Sequence, residues 1–341
     1  MTKPEENKFV IACIIILCAG PFFFCGCNPD SAKQPIANAT ANEAATGDIE
    51  TQATKIIQQA LVSDNPQVRA NAIEVAAATG KQFMPDIQRL LQDKFIPVRF
   101  SAAVAIGDAR YRGAKNDIAQ LLKDDDENVR IAADYAISRI TPGVPTKQLL
   151  AAITSSNQQV RANAAMLLGK TGDKSVLPLL YETIRDEASD DRVRLNSVEA
   201  IARLGDERIY QKLWAMLISA YADDRVCGIR AMGALGNSKA RDSLLTMLKD
   251  DLAEVRLVAA EQLGGLGDTT GEKIVLDAMG QVASGAIDQE GRERIETLAA
   301  LAIGQIRTPA LKKFLPELLK NESRFVQLVA AKAVLKYAAP R

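Results

Sequence analysis

The stretch Val160-Arg161-Ala162-Asn163-Ala164-Ala165-Met166-Leu167-Leu168-Gly169, running on to Gly172-Asp173, carries the pattern on which this chain is built. It returns as Val255-Arg256, through Ala259-Ala260 and Leu263-Gly264, to Gly267-Asp268. Anchored on the first residue, copies begin at Val68, Val98, Val129, Val160, Val193, Asp224, Val255, Ile295 and Val326, in steps of 30, 31, 31, 33, 31, 31, 40 and 31. A near-constant period of this size marks a repeat array.

The registers within a copy explain the period. Four residues after each anchor stand Ala72, Ala102, Ala133, Ala164, Ser197, Gly228, Ala259, Ala299 and Ala330, all small. Eight residues after it stand Ala76, Ile106, Ile137, Leu168, Ile201, Met232, Leu263, Ile303 and Val334, all apolar. Residues so spaced share one face of a helix, and a small residue on that face lets a neighbouring helix approach closely. After a Gly or polar break comes a second amphipathic stretch, such as Val176 to Tyr181 or Leu244 to Leu248. Each unit is therefore a helical hairpin that cannot bury its apolar stripe alone, whereas stacked hairpins share a continuous core. The expected fold is all-α, an α-solenoid of nine hairpins over residues 51–341.

The pattern V-R-x-x-A-A-x-A-L-G-x-L-G-D resembles the HEAT-like repeat of the phycobilisome-lyase type. That family contains chromophore lyases, a diiron hydroxylase and many binding scaffolds. The resemblance thus implies the fold, and leaves function between a protein-binding scaffold and an enzyme or enzyme subunit resembling phycobilin lyases.

Composition narrows the choice. Lys plus Arg number 42 against 42 Asp plus Glu, so no global electrostatic pull draws the chain toward nucleic acid or anionic lipid. The solvent-facing positions of the second helices include Asp86, Asn116, Gln120, Lys147, Glu182, Gln211, Asp242, Thr246, Lys273 and Asp277, which alternate in sign. Second helices are expected to line the concave surface, where the absence of a basic stripe argues against a nucleic-acid partner. The chain has no histidine, which removes the commonest metal ligand and general base. The His-Glu ligand pairs that the resemblance to the diiron hydroxylase would imply have no counterpart. No catalytic residue, metal or cofactor is expected, and the scaffold reading is preferred.

The amino terminus reads separately. Phe9 to Phe24 is an apolar run of 16 residues preceded by Lys3 and Lys8. That is short for a spanning helix, which needs about 20, and it reads as an export signal over residues 1–26. Its end, Phe24-Cys25-Gly26-Cys27, resembles a bacterial lipobox and makes Cys27 the candidate lipidation site, with an uncleaved membrane anchor as the alternative. Residues 27–50, rich in Ala, Asn, Thr and Glu, read as a flexible tether. The expected location is the cell envelope, membrane-anchored and facing outside the cytoplasm. Cys13, Cys18, Cys25 and Cys27 all lie in this segment; Cys227 stands alone in the repeats, where it reads as a core thiol with no disulfide partner.

The most regular polar feature is the arginine after each anchor: Arg69, Arg99, Arg130, Arg161, Arg194, Arg225 and Arg256, ending with Glu296 and Gln327. A cation in the first turns of a helix opposes the helix dipole and calls for a compensating partner. Asp64, Asp93, Asp124 and Asp250, just before their anchors, suit a structural ladder between adjacent loops. Tyr181 and Trp214, with Tyr210 one turn before the latter, suggest an aromatic platform, but the register of Tyr181 and Trp214 carries Leu150, Leu245 and Leu276 in other copies and reads as core packing. Gly264-Gly265-Leu266-Gly267 follows a helix, which excludes a dinucleotide fingerprint. The step of 40 places extra residues near Gly280 to Gly291, with Asp288, Glu290 and Arg292. The array is expected to start on a lone second helix and to end on a lone first helix, Arg324 to Ala338, leaving Val326, Val329, Val334 and Leu335 partly uncovered. Protein partners are accordingly expected on the concave face and at the carboxy-terminal end, on Asp288, Glu290, Arg292, Val326 and Val329.

Overall fold

A computed structural model describes residues 49–285 and 287–339. The helices run α1 (Ile49–Leu61), α2 (Pro66–Thr79), α3 (Met84–Arg89), α4 (Ile96–Asp108), α5 (Lys115–Leu121) and α6 (Glu127–Ile140). They continue α7 (Lys147–Ala152), α8 (Gln158–Thr171), α9 (Leu177–Arg185), α10 (Asp191–Arg203), α11 (Tyr210–Leu217), α12 (Ala222–Leu235) and α13 (Ser238–Met247). The last are α14 (Ala253–Gly265), α15 (Glu272–Ala283), α16 (Gln289–Ile306), the short α17 (Pro309–Lys312) and α18 (Leu315–Leu318), and α19 (Arg324–Ala338). No strand occurs among the described residues, and none of their helices is long and apolar enough to cross a membrane. The signal segment, Cys27 and nearly all of the tether lie outside the described residues.

Local chemistry sets the boundaries. The side chains of Asn65, Asp126, Asn157, Asp190 and Ser323 accept from backbone N–H groups in the first turns of α2, α6, α8, α10 and α19, satisfying donors that have no partner inside the helix. Twelve residues after the anchor the backbone turns left-handed, at Gly172 (φ 80°) after α8 and Gly236 (φ 65°) after α12. Glycine adopts that conformation without a Cβ clash. Arg110 (φ 49°) and Arg307 (φ 54°) hold the same register without that freedom.

Each anchor falls within one of the nine helices α2, α4, α6, α8, α10, α12, α14, α16 and α19, and each of these packs on the next. The approach is backbone to backbone: a β-carbon built on Gly169 would stand 2.6 Å from Ala200 Cα, and one on Gly107 2.9 Å from Ala136 Cα. These first helices are buried on nearly every side; in α4, Phe100 through Gly107 are all buried. The second helices bury one stripe only, as with Leu213 and Leu217 of α11.

The ends of the array meet. Helix α19 packs on α16 and, on its other side, on both α1 and α2, with Lys332 Nζ 4.0 Å from Glu74 Oε1 across the junction. The two helices expected to be unpartnered cover one another, because α1 offers the apolar stripe of a second helix (Ala53, Ile57, Ala60, Leu61) and α19 that of a first helix. Val326 is 0% exposed and Val334 3%, which corrects the expectation that they are partly uncovered, while Val329 and Leu335 are half-buried. The solenoid is thereby a closed circuit of hairpins, its last one assembled from the two ends of the repeat region.

A second correction concerns the faces. The cavities at the centre are lined by first-helix residues such as Ile73, Phe100, Met166, Arg230 and Glu261, so the first helices face inward. Asn116, Gln120, Lys147, Glu182, Gln211, Asp242, Thr246, Lys273 and Asp277 are exposed, and Asp86 half-buried, on the second helices. The long step is absorbed partly by helix: α16 starts six residues before its anchor Ile295, whereas α14 starts two before Val255.

Candidate functional site

The arginine series forms a ladder with two kinds of rung. Arg69 donates through Nε (2.8 Å) and Nη2 (2.9 Å) to the two oxygens of Asp93 in the next loop, and through Nη1 to the Ser63 carbonyl (2.6 Å) behind it. Arg99 repeats this with Asp124 (2.9 Å to each oxygen) and the Asp93 carbonyl (2.9 Å). Arg225 pairs with Asp250 (2.8 Å) and Asp251 (3.0 Å), and Arg161 with Asp186 (2.5 Å). The hydrogen bond from Arg161 holds the Asp186 carboxyl below the usual carboxylate range. Arg130 and Arg256 reach loop carbonyls, at 2.8 and 2.7 Å respectively. Arg194 donates to the Asp186 carbonyl (3.2 Å) and lies 3.5 Å from Asp191. All of these arginines except Arg161 thus bind carbonyls at the end of the preceding second helix, where the helix dipole favours a cation. In α16 the polarity is inverted: Glu296 accepts from Asn321 Nδ2 (2.7 Å) and Arg292 Nε (3.0 Å), and Gln327 donates to the Asn321 carbonyl (2.6 Å).

Inside the circuit lie two neighbouring cavities. The larger, about 270 Å³, is walled by Ile73, Ala77, Phe100, Val104, Ala105 and Met166, with Asp108, Lys170, Glu74 and Lys332 at its edge. Lys170 reaches past α6 to Asp108 at 2.8 Å, and Tyr135 Oη donates to the same carboxylate at 2.6 Å. Burial and that carboxylate push the Tyr135 phenol well above its usual range, so it stays protonated and serves as a donor. The smaller cavity, about 60 Å³, is lined by Asn71, Arg230, Glu261, Thr297, Phe325 and Val329, and shares Glu74 and Lys332 with the larger.

Buried polar groups elsewhere are mostly explained by packing. Asp134, 5% exposed, accepts from the Leu149 N–H at 2.9 Å and so caps α7, whose own N-cap Thr146 makes no side-chain bond; burial raises its pKa despite that bond. Cys227 is buried in α12 and in no disulfide. Tyr210 shares a hydrogen bond with Ser243 Oγ (2.8 Å). Trp214, by contrast, is 37% exposed, which corrects its reading as core; Ile218 (68%) and Tyr221 (70%) follow it, and Leu252 (40%) holds Tyr221's register one repeat on. Nothing in the sequence pattern flagged Ile218, Tyr221 or Leu252, because their loops carry no periodicity.

The residues expected to meet a partner separate. Val326 is in the core, and Val329 lines the smaller central cavity. Asp288, Glu290 and Arg292 are exposed at the start of α16, where Asp288 Oδ1 caps the Gly291 N–H (2.8 Å), Glu290 pairs with Arg294 (3.1 Å) and Arg292 with Glu296 (3.0 Å). Among the described residues no group of three or more Cys, Asp or Glu side chains is placed to hold a metal ion.

A family described as HEAT repeats matches residues 146–227. Among solved structures, the chain is similar to human deoxyhypusine hydroxylase in complex with glycerol, at 19% identity over 85% of this chain and 97% of that one, with a TM-score of 0.35. It is also similar to the complex of CpcE and CpcF of phycocyanin lyase from a Nostoc species, at 18% identity over 78% and 98%, TM-score 0.43. A third likeness is Kap121p, at 14% identity and TM-score 0.35, over 84% of this chain and 37% of that one. No curated protein matches the sequence. The hairpins of common register make this chain an α-solenoid, and its repeats at residues 146–227 match HEAT repeats.

Proposed function

We propose that the chain is an exported, membrane-tethered scaffold that binds other proteins at the cell envelope. The observation that carries the binding reading is the apolar rim at α11 and α12. Trp214 and Ile218 lie one helical turn apart, Tyr221 follows in the loop, and Leu252 repeats its position. Tyr221 and Leu252 stand at N-cap positions without a side-chain cap, where Asn65, Asp126 and Asn157 cap theirs. Giving up a cap costs about 1 kcal/mol, and exposed aromatic groups in its place suit a protein interface. The exposed start of α16, with Asp288, Glu290 and Arg292, is a second contact in this reading. Export and tethering rest on Phe9 to Phe24 and on Cys27 in the sequence; two lipid signals anchor stably, at about 0.8 kcal/mol per buried methylene.

Crosslinking in intact cells, followed by co-purification with Tyr221→Asp combined with Ile218→Asp, tests the surface. Recovery of the crosslinked partner is expected to fall while the helical circular-dichroism signal persists; undiminished recovery by the folded variant refutes it. Fatty-acid labelling tests the tether: label is expected in the natural chain and lost in Cys27→Ala, and equal label in both removes Cys27 from the proposal.

A further inference from the structure

We infer that the edge of the circuit on which the first helices end rests on an anionic phospholipid surface, an inference that builds on the membrane tether proposed above. The chain is neutral overall, but its charge is not spread evenly. The ends of α4, α6 and α8 lie side by side: Tyr135 Oη and Lys170 Nζ both reach Asp108 (2.6 and 2.8 Å), and Arg139 Nη1 donates to the Thr171 carbonyl (3.3 Å). The loops that follow α2, α4, α6 and α8 therefore form one continuous arc. Along it Lys81, Arg110, Arg112, Lys115, Lys147 and Lys174 are exposed, and none of the six pairs with an acidic side chain among the described residues. The acids of the arc are engaged elsewhere. Asp86 pairs with Arg89 and Asp108 with Lys170, while Asp117 accepts from Gln88 (2.5 Å) and Asp173 from the Ser175 N–H (2.9 Å). The arc thus carries a net positive charge that a neutral total conceals, and such a local field attracts anions whatever the sum. On the opposite edge, where the first helices begin, the exposed Lys94, Lys123 and Lys249 stand among Asp64, Asp125, Asp190 and Asp251, so no one sign prevails there.

Two observations choose a lipid surface as the occupant. The short connection 62–65 folds α1 back along α2, so Ile49 enters the circuit on the edge where α2 ends and Lys81 follows. The sequence before Ile49 carries the apolar run Phe9 to Phe24 and Cys27. A tether attached there draws this edge, and not the other, toward the membrane. One acyl chain alone binds marginally, whereas a chain joined to a basic patch anchors stably. The second observation is the tip of the arc. Between α6 and α7 the loop exposes Pro142, Gly143, Val144 and Pro145, with Lys147 just beyond, and Gly143 turns it at φ 87°. The two prolines bring no N–H group, so an apolar tip with few donors to desolvate enters the headgroup layer at little cost. A nucleic-acid duplex, the other extended polyanion, offers that tip no apolar layer. Seated this way, the circuit turns Ile218, Tyr221 and Leu252, which lie on the edge where the first helices begin, away from the membrane and toward a protein partner.

The experiment measures partition of the full chain onto phosphatidylcholine vesicles with and without about one-third phosphatidylglycerol, the anionic lipid that creates the surface potential. The apolar run and any lipid on Cys27 enter both kinds of vesicle, so the ratio of the two affinities reports on the edge alone. A ratio on the order of a hundredfold or more is expected, at roughly fivefold per cation near the surface. It is expected to collapse at about 1 M salt, where charges are screened within about 3 Å. Arg112→Gln, Lys115→Gln and Lys147→Gln combined are expected to lower the ratio about a hundredfold. Lys94→Gln, Lys123→Gln and Lys249→Gln, an equal loss of charge on the opposite edge, are expected to leave it within about threefold. A ratio near unity in the natural chain overturns the inference. An equal drop in the two triple variants also overturns it, because the pull then belongs to the total charge and not to this edge. Duplex DNA bound as tightly as the anionic vesicles assigns the arc to nucleic acid and overturns it as well. Cys27→Ala is expected to keep the ratio, so a missing fatty-acid label counts against the tether and a missing ratio against this inference. Should the first triple variant fail to fold, the ratio in the natural chain and its salt dependence decide the matter.

Discussion

Closure of the circuit is tested most sharply at Ile57, which is 0% exposed in α1, the helix that packs on α2 and α19. Ile57→Ala deletes roughly three methylene-sized groups, about 2.4 kcal/mol of transfer free energy at about 0.8 each, and the residual cavity brings the loss to about 3–4 kcal/mol. In an open array each repeat contacts only its neighbours, so a defect in a terminal helix frays that end and leaves distant repeats unchanged. Here α1 is clamped between α2 and α19, so its loss unpins both ends. The reporter is built in, because Trp214, the chain's only tryptophan, lies on α11, many hairpins from the junction by either route. Urea unfolding is followed by its fluorescence and by circular dichroism. The two transitions are expected to remain coincident in Ile57→Ala and to shift together, with melting lowered by about 6–8 °C at about 2 °C per kcal/mol. A tryptophan transition left in place, while dichroism loses an early component the size of one or two helices, would refute closure as a source of cooperativity.

Three further outcomes follow from the ladder and the caps. Arg69→Ala leaves Asp93 without its bidentate partner, both side chains being 9% exposed, and is expected to lower stability by about 2–3 kcal/mol; Arg130→Ala, which gives up only loop carbonyls, is expected to lose about 1 kcal/mol, and chemical denaturation compares the two. Asp186, Asp206 and Asp268 have their pKa lowered by hydrogen bonds, from Arg161, Arg208 and Thr270 respectively, so their contribution is complete above the unfolded value of about 3.9 and is lost as pH falls through the folded values; melting temperature is expected to drop below pH ~4, and less steeply in Asp268→Asn. Arg110 holds a left-handed backbone at φ 49°, so Arg110→Gly is expected to raise stability by up to about 1 kcal/mol, and a lower melting temperature would show that the side chain contributes more than the strain it imposes.

The sequence alone determined the repeat. A small residue four positions after each anchor and an apolar one eight after it can only serve a helix packed on copies of itself, and that fixes the hairpins and their number. The arginine-aspartate spacing made a ladder between repeats legible, because Arg69 in the first turn of α2 and Asp93 in the loop before α4 open consecutive repeats whatever the curvature. Curvature itself lies outside any local pattern. It is the sum of small rotations between neighbours, such as the approach of Gly169 to Ala200, and only that sum brought α19 onto α1 and α2, buried Val326, and turned the first helices inward. The same sum gathered Asn71, Arg230, Glu261 and Lys332, drawn from distant repeats, around one cavity. Each reads in sequence as an isolated polar residue on a mostly apolar helix. Tertiary structure decided that they line one cavity, because proximity across a closed circuit is a property of the whole array and of no repeat within it.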